Sequence, residues 1–354
     1  MSAPRTRIAD VASLAGVAVS TASRVLAGRG DVSSATRLRI LAAADRLQYR
    51  RGDERRGRPR TGTVRLIDLV LGQFDEPWSV AVIGGARAAA VEAGFDLVVT
   101  SERDTPEDDW PTRIQNRGSA GVVLALIAPT TAQFDALERA GIPVVLMDPR
   151  TDLRRSVPAV GATDRAGGAA AATHLLAAGA RRLFIISGEP RYRFGRARIA
   201  GFIEAAAKHD PTLTVTEISA PWESGPVREA VREHLRAAAA GGEPIGVFAC
   251  SDEIAYGVYA AAADCALRIP DDVQVVGFDD IAPSKWLRPP LTTVRQPTGE
   301  MAAEAVRLIA AAAAGIHPLP ERTELQTELV VRRSTRIAGS PPPAGAYGPD
   351  VLLE

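Results

Sequence analysis

From Val64 onward, short apolar runs rich in β-branched residues alternate with Ala-rich stretches, and this alternation constrains the fold more than any other feature. The runs cover 64–71, 95–100, 121–127, 143–147, 183–187, 246–249 and 273–278. Stretches of helical character lie between and after them, near 79–93, 131–140, 165–178, 196–208, 224–239, 253–266 and 298–313. Apolar runs without polar alternation, joined by helices, predict parallel sheets covered on both faces. Seven or more such units suit two doubly wound subdomains better than one sheet. In such sheets ligands sit beyond the carboxyl ends of the strands, so chemistry is to be sought just after each run.

The first sixth of the chain is of another kind. Residues 1–60 hold 13 Arg and no Lys against five acidic residues, a net charge of +8 inside a chain whose formal charge is zero. Basic charge gathered in this way is a footprint for a polyanion, although a solvated basic arm would carry it too. Ile8, Val11, Ala12 and Ala15 repeat at helical spacing, and Gly16 supplies a turn. A second helix is predicted over 19–27, with Ala22, Val25 and Leu26 facing the first. Ser33 is the expected N-cap of a third helix running to about Gln48, its sides marked by Leu38, Leu41, Ala42, Asp45 and Leu47. Between Arg50 and Thr63 only Arg, Gly, Asp, Glu, Pro and Thr occur, which marks a linker. The Gly- and Pro-rich stretch from 338 to 354 is an expected disordered tail.

Other classes find little support. The longest apolar stretches, such as 122–128, fall far short of the roughly 20 residues that span a bilayer. Asp10 and Arg24 interrupt any signal-peptide core, so a cytoplasmic protein is expected. Cys250 and Cys265 make no disulfide framework, and the four histidines show no metal-ligand spacing. No phosphate loop, nucleophile elbow or cofactor motif occurs, so neither catalytic residues nor a cofactor are expected.

The run from Ile8 to Leu26, with Asp31-Val32-Ser33 and Leu47-Gln48-Tyr49 after it, closely resembles the helix-turn-helix of the LacI/GalR repressor family. Val275-Val276-Gly277-Phe278-Asp279-Asp280 and Pro290-Leu291-Thr292-Thr293-Val294-Arg295-Gln296-Pro297 resemble the late signature of the same family. The resemblance implies a three-helix DNA-binding head over 1–49, a hinge over 50–62 and an effector-binding, dimerising body over 63–337. That body would be of the periplasmic-binding-protein-like type I fold. Its first lobe is expected at 63–162 plus 293–323 and its second at 163–291 plus 324–337. The implied function is that of a repressor of carbohydrate-uptake or catabolism genes, acting as a homodimer on an inverted-repeat operator and released by a sugar. Two alternatives are a purine-like co-repressor and a cytoplasmic sugar-binding protein without DNA function.

By position in the family motif, Ile8, Val19, Ser20, Thr21, Ser23 and Arg24 are the implied DNA contacts, joined by Arg55 and Arg58 of the linker. Val19 and Ser20 would face base edges, and Arg24, one turn on, can reach a guanine. The chain also departs from the family. Ala18 replaces a usual Ser, so an N-cap is missing. The hinge has Arg51, Gly52, Arg55 and Arg58 where Pro, Asn, Ala and a wedging Leu are usual. Trp78, Asp148, Arg198, Trp222 and Asp279, with Ser251 as a weaker sixth, occupy the places that line the family's cleft. Guanidinium, carboxylate and indole together suit a sugar: fixed donors for vicinal hydroxyls, acceptors for others, and an apolar face for C–H patches.

Overall fold

The computed structural model describes residues 8–26, 32–47, 49, 65–103, 105, 109–150, 157–188 and 192–336. The chain divides into two compact units, residues 1–63 and 64–354. The linker with Arg55 and Arg58, and the segment 338–354, lie outside the described residues.

In the first unit, α1 (Ile8–Ala15), α2 (Val19–Leu26) and α3 (Ser34–Arg46) form the three-helix head. Gly16 takes φ +65° at the first turn, and the chain bends by 105° from α1 to α2. Ser33 caps α3, its hydroxyl accepting from the Thr36 N–H at 3.3 Å. Ala18 offers α2 only a backbone carbonyl, which accepts from Thr21 and Ala22. The core joins Val11, Ala12 and Ala15 to Ala22 and Val25, and to Ile40, Ala43 and Ala44 of α3. Leu38 and Leu41, expected to mark the apolar side of α3, are 67% and 47% exposed. Apolar residues at 38 and 40–44 fill both faces of this helix, so periodicity alone cannot choose between them.

The second unit holds two six-stranded sheets. The first runs β11 (Arg322–Leu325), β5 (Ala159–Ala162), β4 (Val144–Met147), β3 (Gly121–Ala125), β1 (Leu66–Leu71), β2 (Asp96–Ser101) and is parallel throughout. The second runs β12 (Glu328–Val330), β10 (Thr292–Arg295), β9 (Val273–Asp279), β8 (Ile245–Ala249), β6 (Arg182–Ser187), β7 (Val215–Ser219). Only β12 is antiparallel, against β10. Helices α4 (Pro77–Glu92), α5 (Trp110–Arg117), α6 (Thr131–Arg139) and α11 (Thr298–Ala313) serve the first lobe. The second lobe has α7 (Asp164–Ala177), α8 (Arg193–His209), α9 (Ser224–Ala239) and α10 (Asp252–Asp264).

The chain crosses between lobes three times, near Thr163, at Gln296-Pro297 and near Thr327. This corrects the expected lobe edges. β10 pairs with β9 in the second sheet, so residues 293–295 belong to the second lobe, and β11 extends the first lobe to Leu325. The reason is register: Thr292 to Arg295 lie beside Val276 to Asp279 and continue that sheet.

Helices α7 and α8 touch at glycine. A Cβ on Gly168 would stand 2.0 Å from the Arg198 carbonyl oxygen, and one on Gly201 would stand 1.9 Å from that of Arg165. Backbone meets backbone here, so no side chain can rotate away. Gly168→Ala is therefore expected to cost about 1–3 kcal/mol by overpacking. Denaturant unfolding should show the loss, and it should exceed that of Gly84→Ala, whose Cβ would meet nothing within 4 Å.

Candidate functional site

A cavity of about 460 Å³ lies between the carboxyl ends of the two sheets, as a doubly wound architecture dictates. The first lobe contributes Leu71 at the end of β1, Trp78 of α4, Ala125 at the end of β3 with Leu126 after it, and Asp148 after β4. The second contributes Tyr192, Phe194, Arg198, Trp222, Ser251 and Asp279, and the middle crossover adds Gln296. All six residues proposed for the cleft thus line one cavity. Trp78 lies in the first turn of α4, not in a loop, because Pro77 starts the helix two residues earlier than expected. Trp222 follows β7, a strand that the sequence reading missed.

Arg198 organises the centre. Only 3% exposed, it donates through Nε to Asp164 Oδ1 at 2.9 Å and through Nη1 to the Cys250 carbonyl at 2.7 Å. Nη1 also lies 3.5 Å from Asp279 Oδ1. The guanidinium stacks on the Phe278 ring at 3.6 Å, which fixes its plane. Three carboxylates gather around it, Asp148 and Asp164 buried and Asp279 partly exposed, with Arg322 acting on the first two from β11. Burial, reinforced by the charge of Asp164, pushes Asp148 up to about 7. Burial likewise raises Asp279 well above the usual carboxylate range, against the pull of Arg198. Both residues leave their strands with positive φ, +45° at Asp148 and +110° at Asp279, a strained backbone that turns their carboxyls inward.

An aromatic corner closes one side. Tyr192 and Phe194 stack at 5.4 Å, and Trp222 tilts against both at 5.7 Å. Gly188 makes room for the indole, since a Cβ there would fall 2.1 Å from Trp222 Cε2. The Trp222 N–H is buried without an acceptor among the described residues. Ser251 caps α10, accepting from the Ile254 N–H at 3.1 Å, while also lining the cavity. Tyr192, Phe194, Asp164 and Gln296 escaped the sequence reading. A residue after a strand was the signal sought, whereas the two aromatics enter from the start of α8.

In the head, Val19, Ser20 and Arg24 are exposed on α2, Thr21 and Ser23 are half-buried beside them, and Ile8 opens α1 half-buried. Arg24 makes no ion pair among the described residues. One short helix therefore presents Val19, Ser20 and Arg24 along its open side.

Residues 7–52 match the model for bacterial regulatory proteins of the lacI family, and 172–335 match that for a periplasmic binding protein-like domain. The regulator reg1 of Streptomyces lividans is 34% identical over 350 residues, covering 94% of this chain and 97% of that one. The chain belongs to the lacI family of bacterial regulatory proteins. The regulator MalR of Streptomyces coelicolor is 33% identical over 349 residues, with 94% of this chain and 97% of that one covered. The structure of a transcriptional regulator CelR–cellobiose complex superposes with a TM-score of 0.67 at 30% identity, covering 93% of this chain and all of the other. This lacI-family protein is a DNA-binding transcriptional regulator with a helix-turn-helix head and a two-lobed body, and the family is not enzymatic. Among the described residues no single helix is long and apolar enough to cross a membrane. A bacterial regulator of this kind works in the cytoplasm, where its operator lies.

Proposed function

We propose that the cleft binds a neutral mono- or short oligosaccharide and that this effector releases a homodimeric repressor from an inverted-repeat operator in carbohydrate-uptake or catabolism genes. The observation that carries the reading is the cavity's makeup: one buried guanidinium, acceptor carboxylates and an aromatic corner. Six carboxylates line it (Glu76, Glu102, Asp148, Glu223, Glu253 and Asp279) against the guanidiniums of Arg150 and Arg198. That balance repels phosphate or carboxylate ligands and leaves hydroxyl groups as the natural partners. The cellobiose bound to the CelR structure supports the same ligand class. Because Trp78 and Asp148 stand on one lobe and Arg198, Trp222, Ser251 and Asp279 on the other, a ligand favours closure through its differential contacts with the two.

Calorimetry on the full-length protein with cellobiose, maltose, ribose and hypoxanthine tests the proposal. A saccharide should bind with the negative heat-capacity change of apolar burial. The aromatic corner would also stack a purine, so binding of hypoxanthine alone defeats the saccharide reading and favours the purine-like co-repressor.

On DNA, Ile8, Val19, Ser20, Thr21, Ser23 and Arg24 are the proposed contacts of the head, and bound to its operator the protein is nucleoid-associated. Arg24→Ala is expected to cost about 1–3 kcal/mol and relax preference at one base pair per half-site. Arg55→Ala or Arg58→Ala should instead weaken all sequences evenly and flatten the salt dependence. Footprinting and salt titration with each variant separate the two classes, and protection of a direct repeat would refute the docking geometry.

A further inference from the structure

We infer that Gln296 is the positioning residue that couples the two lobes, its amide joining Arg198 of the second lobe to Asp148 of the first. Gln296 is only 4% exposed and sits on the middle crossover, between β10 of the second sheet and α11, which packs on the first. Its Nε2 donates to Asp148 Oδ2 at 2.6 Å, and its Oε1 accepts from Arg198 Nη2 at 3.4 Å. Only this orientation of the amide is chemically coherent, because a guanidinium has no acceptor to offer and an ionised carboxylate no donor. The amide is further held by Met301 Sδ at 3.5 Å, at the start of α11.

The outer crossovers are tied to each other rather than to the cavity. Thr327 N–H donates to Thr163 Oγ1 at 2.9 Å, and the two hydroxyls meet at 3.0 Å. Among the described residues, the three crossings therefore divide the labour. Two form a hydrogen-bonded pair beside the cleft, and the third carries the side chain that reads both walls of it. A change in the plane of Arg198 is passed through one amide to Asp148 and through the backbone to Pro297 and α11.

Other charged groups face this contact: Asp164 of α7, Arg198 of α8, Asp279 at the end of β9 and Arg322 of β11. None of them stands between Arg198 and Asp148 as the amide does, accepting from the one and donating to the other. Gln296→Glu would set a second carboxylate against Asp148. At acid pH the pair shares a proton and the bridge survives, whereas at alkaline pH two charges repel and the lobes part.

The test is hydrogen–deuterium exchange on the full-length protein without ligand, each variant compared with the wild type at the same pH, at pH 6 and pH 8.5. This keeps it independent of which effector the cleft takes. Gln296→Glu should match wild-type protection at pH 6 and lose it at pH 8.5 in peptides carrying Leu126 and Asp148 on one lobe and Arg198 on the other. Adding Asp148→Asn should restore protection at pH 8.5. Gln296→Leu, which neither donates nor accepts, should lose protection on both lobes at both pH values. Wild-type protection in Gln296→Leu overturns the inference. So does a loss confined to residues near 296, or a Gln296→Glu defect that Asp148→Asn leaves unchanged.

Discussion

Replacing Arg198 by alanine is expected to leave operator binding intact and to abolish the response to effector. The guanidinium is buried beside the carboxylates of Asp164 and Asp279, both within reach of it, with Asp148 close behind. Hydrogen bonds to charged groups contribute about 1.5–3 kcal/mol each, so losing two of them to a ligand lowers affinity by about a hundredfold or more. Removing one partner of a buried charge network also destabilises the body by about 3–5 kcal/mol. Calorimetry with the saccharide that the wild type binds, and gel retardation with operator DNA, read the two effects separately. Arg198→Lys, which keeps the charge but not the planar fork, should recover stability before affinity. If Arg198→Ala binds that saccharide as the wild type does, the cleft assignment is wrong.

The second large effect is a fall in stability of the body as pH rises from about 4 to 7. Asp148 and Asp252 are both pushed up to about 7, burial being the main cause in each. Asp252 accepts from Ser284 Oγ at 2.6 Å, Thr293 Oγ1 at 2.5 Å and the Ile281 N–H at 3.0 Å, bonds that restrain the rise without cancelling it. With folded-state values above the unfolded ones, the native chain holds protons that the unfolded chain releases. The contribution is therefore complete below about pH 4 and lost as pH climbs through 7. At about 1.4 kcal/mol per pK unit, the two groups together shift stability by several kcal/mol. Denaturant titrations across that range should show the decline, and Asp148→Asn should reduce it, leaving the share of Asp252. A flat profile in the wild type would mean that both carboxyls are ionised throughout.

The alternation of apolar runs and Ala-rich stretches made the two-lobed architecture legible because β1, β3, β4, β6, β8 and β9 are almost wholly buried. The half-exposed edge strand β2 still carries an apolar Leu-Val-Val run. What escaped were strands without a sustained apolar run. β7, Val-Thr-Glu-Ile-Ser, is a half-exposed edge strand, and β11 and β12 are edges of three or four residues. β5 is Ala-Val-Gly-Ala, too small in side chain to stand out although it is fully buried. β10 is a four-residue strand whose lobe is decided by its pairing with β9, which no local pattern states, so the lobe edge at 293 could not be read from its own residues. In the cavity, Arg198, Asp148 and Asp279 carry their chemistry in their residue type. Gln296 does not, since its importance lies in standing where the chain crosses between two walls.

The triple crossing also dictates the order in which this protein can take shape on the ribosome. Met301, Ala302, Ala305, Val306 and Ile309 of α11 are buried in the core of the first lobe, beneath strands made some 150 to 240 residues earlier. The second lobe in turn lacks its edge until β12, Glu328–Val330, has been made. The three-helix head can fold early in synthesis, but neither lobe can close until nearly the whole body has been translated. Chains stopped before Thr298 would carry an open apolar face, an aggregation-prone intermediate of the kind chaperones hold.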